Sequence, residues 1–186
     1  EHILLQNLCA FYDVGEHNEM RLHGADWNDA LDMAWEKGES VAFTCAYAGN
    51  LRNIAKTLRQ LEEISGSSKI EIAHEMEDLL AGSVELYEDA ARKQALLAGY
   101  AKKCEHNISG DTIVVRLDQL AANLEGKADW MMKNIRANEW VKDGEDGWFN
   151  GYYDNHGRKV EGVMDESVRM MLTGQVFAIM SGTATE

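Results

Sequence analysis

The sequence contains no proline. At an average usage of about 5% a chain of 186 residues would carry roughly nine, so the absence suits long unbroken helices better than a loop-rich β-sandwich. Cysteine is also scarce. Cys9, Cys45 and Cys104 are odd in number, far apart and in no CxxC spacing, which excludes a disulfide framework and a zinc knuckle and fits a reducing cytoplasm. Basic residues are outnumbered, 18 against 32 acidic ones, and the formal charge of −14 repels phosphate backbones and anionic lipid surfaces. Neither nucleic acid nor a membrane is expected as a partner. No run approaches the roughly 18 apolar residues of a transmembrane helix; the most apolar stretch, Val168 to Met180, is interrupted by Arg169, Thr173, Gly174 and Gln175. The chain opens at Glu1-His2-Ile3-Leu4-Leu5 with neither a methionine nor a charged-then-apolar leader, so no targeting segment is expected and the chain reads as a piece of something longer. There is no glycine-rich phosphate loop of the P-loop or Rossmann kind.

What is present is ordinary for one globular domain: 45% apolar and 27% charged residues, which rules out disorder as the main reading. Ile3, Leu4, Leu5, Leu8, Phe11 and Tyr12 recur at helical spacing and stop at Asp13-Val14-Gly15. From Ser40, an apolar face of Val41, Cys45, Ala48, Leu51, Ile54, Ala55, Leu58, Leu61 and Ile64 runs for about seven turns until Ser65-Gly66-Ser67-Ser68 breaks it. The spacing continues helically over Lys69 to Lys103 with a break near Gly82. Asp111 to Leu117 could be a short strand through Ile113, Val114 and Val115, but Leu117, Leu120, Ala121 and Leu124 favour a helix. A further amphipathic segment spans Lys127 to Trp140. Aromatics on both sides of Asn155-His156-Gly157 predict a hairpin between Trp148 and Arg158, and Glu166 to Ser181 reads as a last helix, apolar nearly all round. The expectation is an all-α chain with one short β-hairpin.

Chemistry concentrates in one loop. Gly24-Ala25-Asp26-Trp27-Asn28-Asp29 packs two carboxylates, an amide and a large aromatic together, flanked by Arg21 and His23. A sugar-cleaving site needs a proton donor for the leaving oxygen, an aromatic face for a pyranose and hydrogen-bonding groups for its hydroxyls. The alternative is a loop in which Asp26 or Asp29 caps a helix and Trp27 fills core. Other candidates read as structural: Asp143-Gly144-Glu145-Asp146-Gly147 lacks the ligand register of a calcium loop, Cys45 lies on an apolar helix face, and His156 sits in a surface turn. No metal site and no cofactor are expected.

The run Arg21-Leu22-His23-Gly24-Ala25-Asp26-Trp27-Asn28-Asp29-Ala30-Leu31, followed by Gly38-Glu39-Ser40-Val41, resembles the signature loop of glycoside hydrolase family 94, the cellobiose, chitobiose and 1,2-β-oligoglucan phosphorylases. Trp148 to Asp154, Gly157-Arg158 and Gln175 to Gly182 resemble later parts of the same barrel, while the middle of the chain, from about Lys56 to Val141, is only compatible with it. Ala30-Leu31-Asp32-Met33 and the final helix look closest to the 1,2-β-oligoglucan phosphorylases. The resemblance implies residues 1–186 are one segment of an (α/α)6-barrel catalytic domain. It also implies inverting phosphorolysis of a β-linked gluco-oligosaccharide, with β-1,2 the favoured linkage, by inorganic phosphate as co-substrate, releasing glucose 1-phosphate.

By the same resemblance Asp29 is the general acid and Trp27 contacts the sugar, with Asn28 and Arg21 as further substrate ligands. Phosphate attacks the anomeric carbon itself, so one carboxylate suffices. An inverting hydrolase would need a second carboxylate roughly 6.5–9.5 Å away, for which Asp26, Glu39 and Asp165 are the candidates. A phosphorylase of another linkage, a hydrolase on the same barrel and a non-catalytic helical fragment stay open as alternatives. Six helical hairpins need roughly twice this length, and the family's β-sandwich and phosphate-binding segments have no counterpart. The isolated chain is therefore expected to lack turnover, and its apolar last helix to drive association, homo-oligomeric association included.

Overall fold

The structure, a computed structural model, describes residues 1–23, 34–164 and 167–185. Helix α1 (His2–Tyr12) buries Leu4, Leu8, Phe11 and Tyr12 against α2 (Val41–Ser65). The ends of α2 follow from local chemistry. Ser40 is extended and its hydroxyl accepts from the Phe43 amide at 3.0 Å, satisfying a first-turn donor. Gly66, at φ +66°, supplies the left-handed residue that closes the last turn onto the Glu62 carbonyl. The predicted apolar stripe is buried only in its first half: Val41, Cys45, Ala48, Leu51 and Ala55 are inside, whereas Ile64 is 85% exposed. Helix α5 (Leu117–Asn138) packs along α2 and buries Leu120, Leu124, Ala128, Met131, Met132 and Ile135.

Several expectations are corrected. Lys69 to Lys103 is not one kinked helix. It divides into strand β3 (Lys69–Ala73), a 3-10 helix (His74–Leu80), and helices α3 (Val84–Glu88) and α4 (Ala90–Lys103). Strand β4 (Thr112–Arg116) replaces the helix expected from Asp111 and pairs antiparallel with β3, Ile70 opposite Val115 and Ile72 opposite Ile113. Lys69-Ile70-Glu71-Ile72 alternates polar with β-branched residues, and in β4 Ile113 and Val115 share the inward face while Val114 is exposed, so the strand period wins. The segment at Lys127 to Trp140 is the second half of α5, which runs through Gly126 unbroken and ends at Asn138, so that Trp140 lies beyond it.

The return expected around Asn155-His156-Gly157 is present, with Tyr153 bridged antiparallel to Lys159 and Val160 N donating to the Tyr152 carbonyl, and an unexpected second hairpin precedes it, between β5 (Trp140–Asp143) and β6 (Asp146–Phe149). Its two-residue turn places Gly144 at φ +61° in the first central position, the place a II′ hairpin turn reserves for glycine. Strands β1 (Met20–Arg21), β2 (Glu39–Ser40) and β7 (Tyr152–Tyr153) form a small antiparallel sheet with β2 in the middle. At the chain's end β8 (Gly162–Met164) pairs with β9 (Ser167–Arg169), and the last helix, α6 (Leu172–Ser181), starts six residues later than predicted. The chain is thus largely helical with four small sheets among the described residues, not all-α with a single hairpin. No helix among the described residues is long and apolar enough to cross a membrane. Helix α6 keeps Gly174 and Ala178 inside but leaves Leu172, Ile179 and Met180 about 70% exposed or more.

Two lysines are buried among aromatics. Lys127 Nζ donates to the Ala81 carbonyl (2.9 Å) and Asn123 Oδ1 (2.7 Å) and lies 5.4 Å from the ring centres of Phe11 and Tyr87. Lys93 Nζ donates to Asn18 Oδ1 and stands 4.1 Å over Phe11. Burial pushes both ammonium groups down to about 7 from the ordinary 10.5. Between those two values the unfolded chain holds protons that the folded chain has released, so folding stability gains with rising pH across that window and the burial penalty is largest below it. Lys127 has burial as its only cause. Lys127→Met is therefore expected to flatten the rise in stability between about pH 7 and 10.5, which denaturant unfolding across that range would read.

Candidate functional site

A cleft of about 560 Å³ opens beside the β1–β2 pair, lined by Gly15, Glu16, His17, Arg21, Glu36, Lys37, Glu39, Gln94, Asn155, His156 and Gly157. It lies where the chain leaves for residues 24–33 and returns. On the departing side Arg21 N donates to the Asp13 carbonyl and Leu22 N to the Gly38 carbonyl, both at 3.0 Å. On the returning side the amides of Glu36 and Lys37 both donate to Asn155 Oδ1 at 2.8 Å. Asn155 belongs to a turn that Asp154 holds shut, accepting from His156 N, Arg158 N and Arg158 Nε. These bonds hold the Asp154 carboxyl below the usual carboxylate range despite the opposing effect of burial.

Gly38-Glu39-Ser40-Val41 is the hinge of this arrangement. A Cβ on Gly38 would lie 2.2 Å from the Ala34 carbonyl oxygen, so only glycine permits this approach. Glu39 is buried and its carboxylate accepts from His17 N, Glu19 N (3.1 Å) and His17 Nδ1 (2.8 Å). Ser40 caps α2 and Val41 enters the core. Glu39 thus lines the cleft with its oxygens already engaged, a poor state for a group that must activate water.

A second layer of buried acids supports the sheet from behind. Glu139 accepts from the Tyr153 hydroxyl (2.8 Å) and Asn150 Nδ2 (3.1 Å), and burial together with that carboxylate pushes the Tyr153 phenol up. Glu161 holds the amides of Gly151 (2.8 Å) and Met171 (2.9 Å). Glu19 is fully buried, receives Asn134 Nδ2 on one oxygen and has no partner for the other among the described residues. Burial first, and Glu139 next, raise its carboxyl well above the ordinary value.

Of the residues singled out from sequence, Asp29, Trp27 and Asn28 lie outside the described residues, as do Asp26 and Asp165. Arg21 lines the cleft, its guanidinium 3.9 Å from Asp13. His23 turns to Asp13 instead, Nε2 to Oδ2 at 2.6 Å. His156, expected only to shape a turn, lies in that turn and also lines the cleft. Cys45 is buried, and its thiol is pushed up to about 12, chiefly by that burial, which suits core and not a nucleophile. Among the described residues no group of three His, Cys, Asp or Glu side chains could hold a metal ion. Sequence reasoning missed His17, Lys37 and Asn155. The signal nearest to His17 was Glu39, 22 positions away, inside a motif already noted.

Asn155 acts only as an acceptor in its two bonds to the backbone. Asn155→Asp is therefore expected to keep the clamp on the segment returning at Glu36, and Asn155→Ala to release it. Limited proteolysis should cut the alanine variant faster within residues 24–37, with the melting temperature lowered by only a few degrees.

No family profile matches the chain. Over an aligned stretch that covers 99% of its length, the chain is 25% identical to part of the solabiose phosphorylase of Paenibacillus borealis. The chain spans about 17% of the length of that curated relative.

Proposed function

We propose that the chain is part of a carbohydrate phosphorylase that splits a β-linked gluco-oligosaccharide with inorganic phosphate, by inversion, and releases glucose 1-phosphate. The similarity to a phosphorylase supports carbohydrate phosphorolysis in general. The observation that carries the reading is the cleft itself: both ends of the segment bearing Asp26-Trp27-Asn28-Asp29 are pinned at its wall, beside Arg21, Lys37 and His17. In this reading Asp29 gives its proton to the departing glycosidic oxygen as the C1–O bond breaks. A phosphate oxygen forms the new bond to C1 from the opposite face, and the electron pair of the old bond stays with the leaving sugar. Trp27 stacks under the donor sugar, and Asn28 and Arg21 bind hydroxyls or phosphate.

The engaged oxygens of Glu39 speak against Glu39 as the free carboxylate base that an inverting hydrolase needs, and the other two candidates, Asp26 and Asp165, lie outside the described residues. We place the segment within an (α/α)6 barrel and take β-1,2 as the preferred linkage. A panel of β-1,2-, β-1,3- and β-1,4-linked gluco-oligosaccharides, incubated with the protein as it occurs in the cell and with phosphate, tests this. Glucose 1-phosphate should accumulate fastest from the β-1,2 series; faster release from another series would reassign the linkage, and none from any would remove the activity.

A further inference from the structure

We propose that His17 binds an oxyanion of phosphate in the cleft through Nε2, with Glu39 and Tyr153 holding the imidazole in place. The inference rests on the phosphorolytic reading for the identity of its ligand and on the following geometry for its residue. Nδ1 lies 2.8 Å from the Glu39 carboxylate, which also takes the His17 amide. A carboxylate only accepts, so Nδ1 carries the hydrogen and Nε2 is left to meet whatever enters the cleft. The ring stacks on Tyr153, with centroids 3.7 Å apart and planes 10° from parallel. Tyr153 is in turn fixed by its hydroxyl on Glu139.

The fourth constraint is Gly157, at φ +71°, where a Cβ would come within 3.2 Å of His17 Cε1 and 3.8 Å of Nε2. A side chain there would cover the open edge of the imidazole; glycine leaves it bare. Nε2 has no partner among the described residues, and the side chain keeps 29% exposure. Holding one ring nitrogen on a buried carboxylate while the other faces a cleft is how an imidazole is oriented to bind a ligand.

An oxyanion suits the surroundings better than a neutral hydroxyl. Arg21, Lys37 and His156 line the same wall, and Lys37 has no ion-pair partner among the described residues. The acids at the cleft are Glu16 and Glu36, both exposed, and Glu39, whose charge is committed to Nδ1 and backbone amides. Inorganic phosphate and the phosphoryl group of a sugar 1-phosphate offer the same oxygens, and the two sources can be told apart.

The test uses the protein as it occurs in the cell. His17→Asn keeps a side-chain donor toward Glu39 in the place of Nδ1 and removes Nε2. It is expected to raise the KM for phosphate, and for glucose 1-phosphate in the synthetic direction, on the order of ten- to a hundredfold, with the KM for the oligosaccharide changed less than about twofold. A change confined to one of the two phosphates still supports the contact and identifies its source. An unchanged KM for both, or a rise confined to the oligosaccharide, overturns the proposal. Carbethoxylation of His17 in the wild-type protein, read by peptide mass mapping, needs neither a folded variant nor turnover. Inorganic phosphate or glucose 1-phosphate should protect His17 and the neutral oligosaccharide alone should not; absence of protection by both phosphates overturns the proposal. If the wild-type protein releases no sugar phosphate yet phosphate protects His17, the phosphorolytic reading fails and the oxyanion site stands.

Discussion

Asp29→Asn is expected to lower the rate on a natural β-linked oligosaccharide by a factor on the order of 10² to 10⁴, or more, while leaving the fold intact. General acid catalysis contributes about that much, and a sugar alkoxide departs poorly without a proton. A donor whose leaving group departs unprotonated, such as a glycosyl fluoride, should recover much of the rate. Trp27→Ala removes a binding face instead of a proton and should not be rescued in this way. Asp26→Asn should act through the shape of the loop, with a smaller loss and no rescue. Near wild-type phosphorolysis by Asp29→Asn would make Asp26 the candidate acid.

Glu39→Ala is expected to be the most damaging of the structural changes at the site. The carboxylate accepts from two backbone amides and an imidazole, and Gly15 packs so closely on it that a Cβ there would sit 2.3 Å from Glu39 Cδ. Truncation leaves three donors unpaired at about 1 kcal/mol or more each, together with an unfilled space. A loss of about 3 kcal/mol is a large share of the stability of a typical domain and corresponds to a fall of roughly 6–12 °C in melting temperature. Activity should fall in step with stability, because the same bonds hold the cleft wall. A Glu39→Gln protein that melts like wild type yet has lost turnover would instead mark Glu39 as a chemical participant and reopen the hydrolase reading.

Local chemistry made much of this arrangement legible. The ends of α1 and α2 follow from Asp13-Val14-Gly15, from the Ser40 cap and from Gly66, all within a few residues of the boundaries they set. Strands β3 and β4 were harder because their partners are some 40 residues apart, and a five-residue run with Ile113, Val114 and Val115 joins directly onto a helix whose period masks it. The late start of α6 has the same origin: the pairing of Val168 with Val163 decides it, not the apolarity the two periods share.

At the site, Arg21 and the Gly38-Glu39-Ser40-Val41 run were readable as motif residues. Asn155 was not, since its role is to accept amides 118 and 119 positions away. Lys93 and Lys127 were hidden for another reason. A lysine in an amphipathic helix reads as solvent-facing, and nothing local announces that Phe11 and Trp130 converge on Lys93, or Phe11 and Tyr87 on Lys127.

The central claim is that phosphate, not water, takes the sugar. Its most direct measurement is the anomeric NMR spectrum of the first product formed from a β-linked gluco-oligosaccharide by the protein as it occurs in the cell, with and without inorganic phosphate in ¹⁸O-labelled water. The account predicts α-glucose 1-phosphate free of label, formed only when phosphate is present. Free glucose carrying ¹⁸O at its anomeric carbon, formed equally well without phosphate, would contradict it.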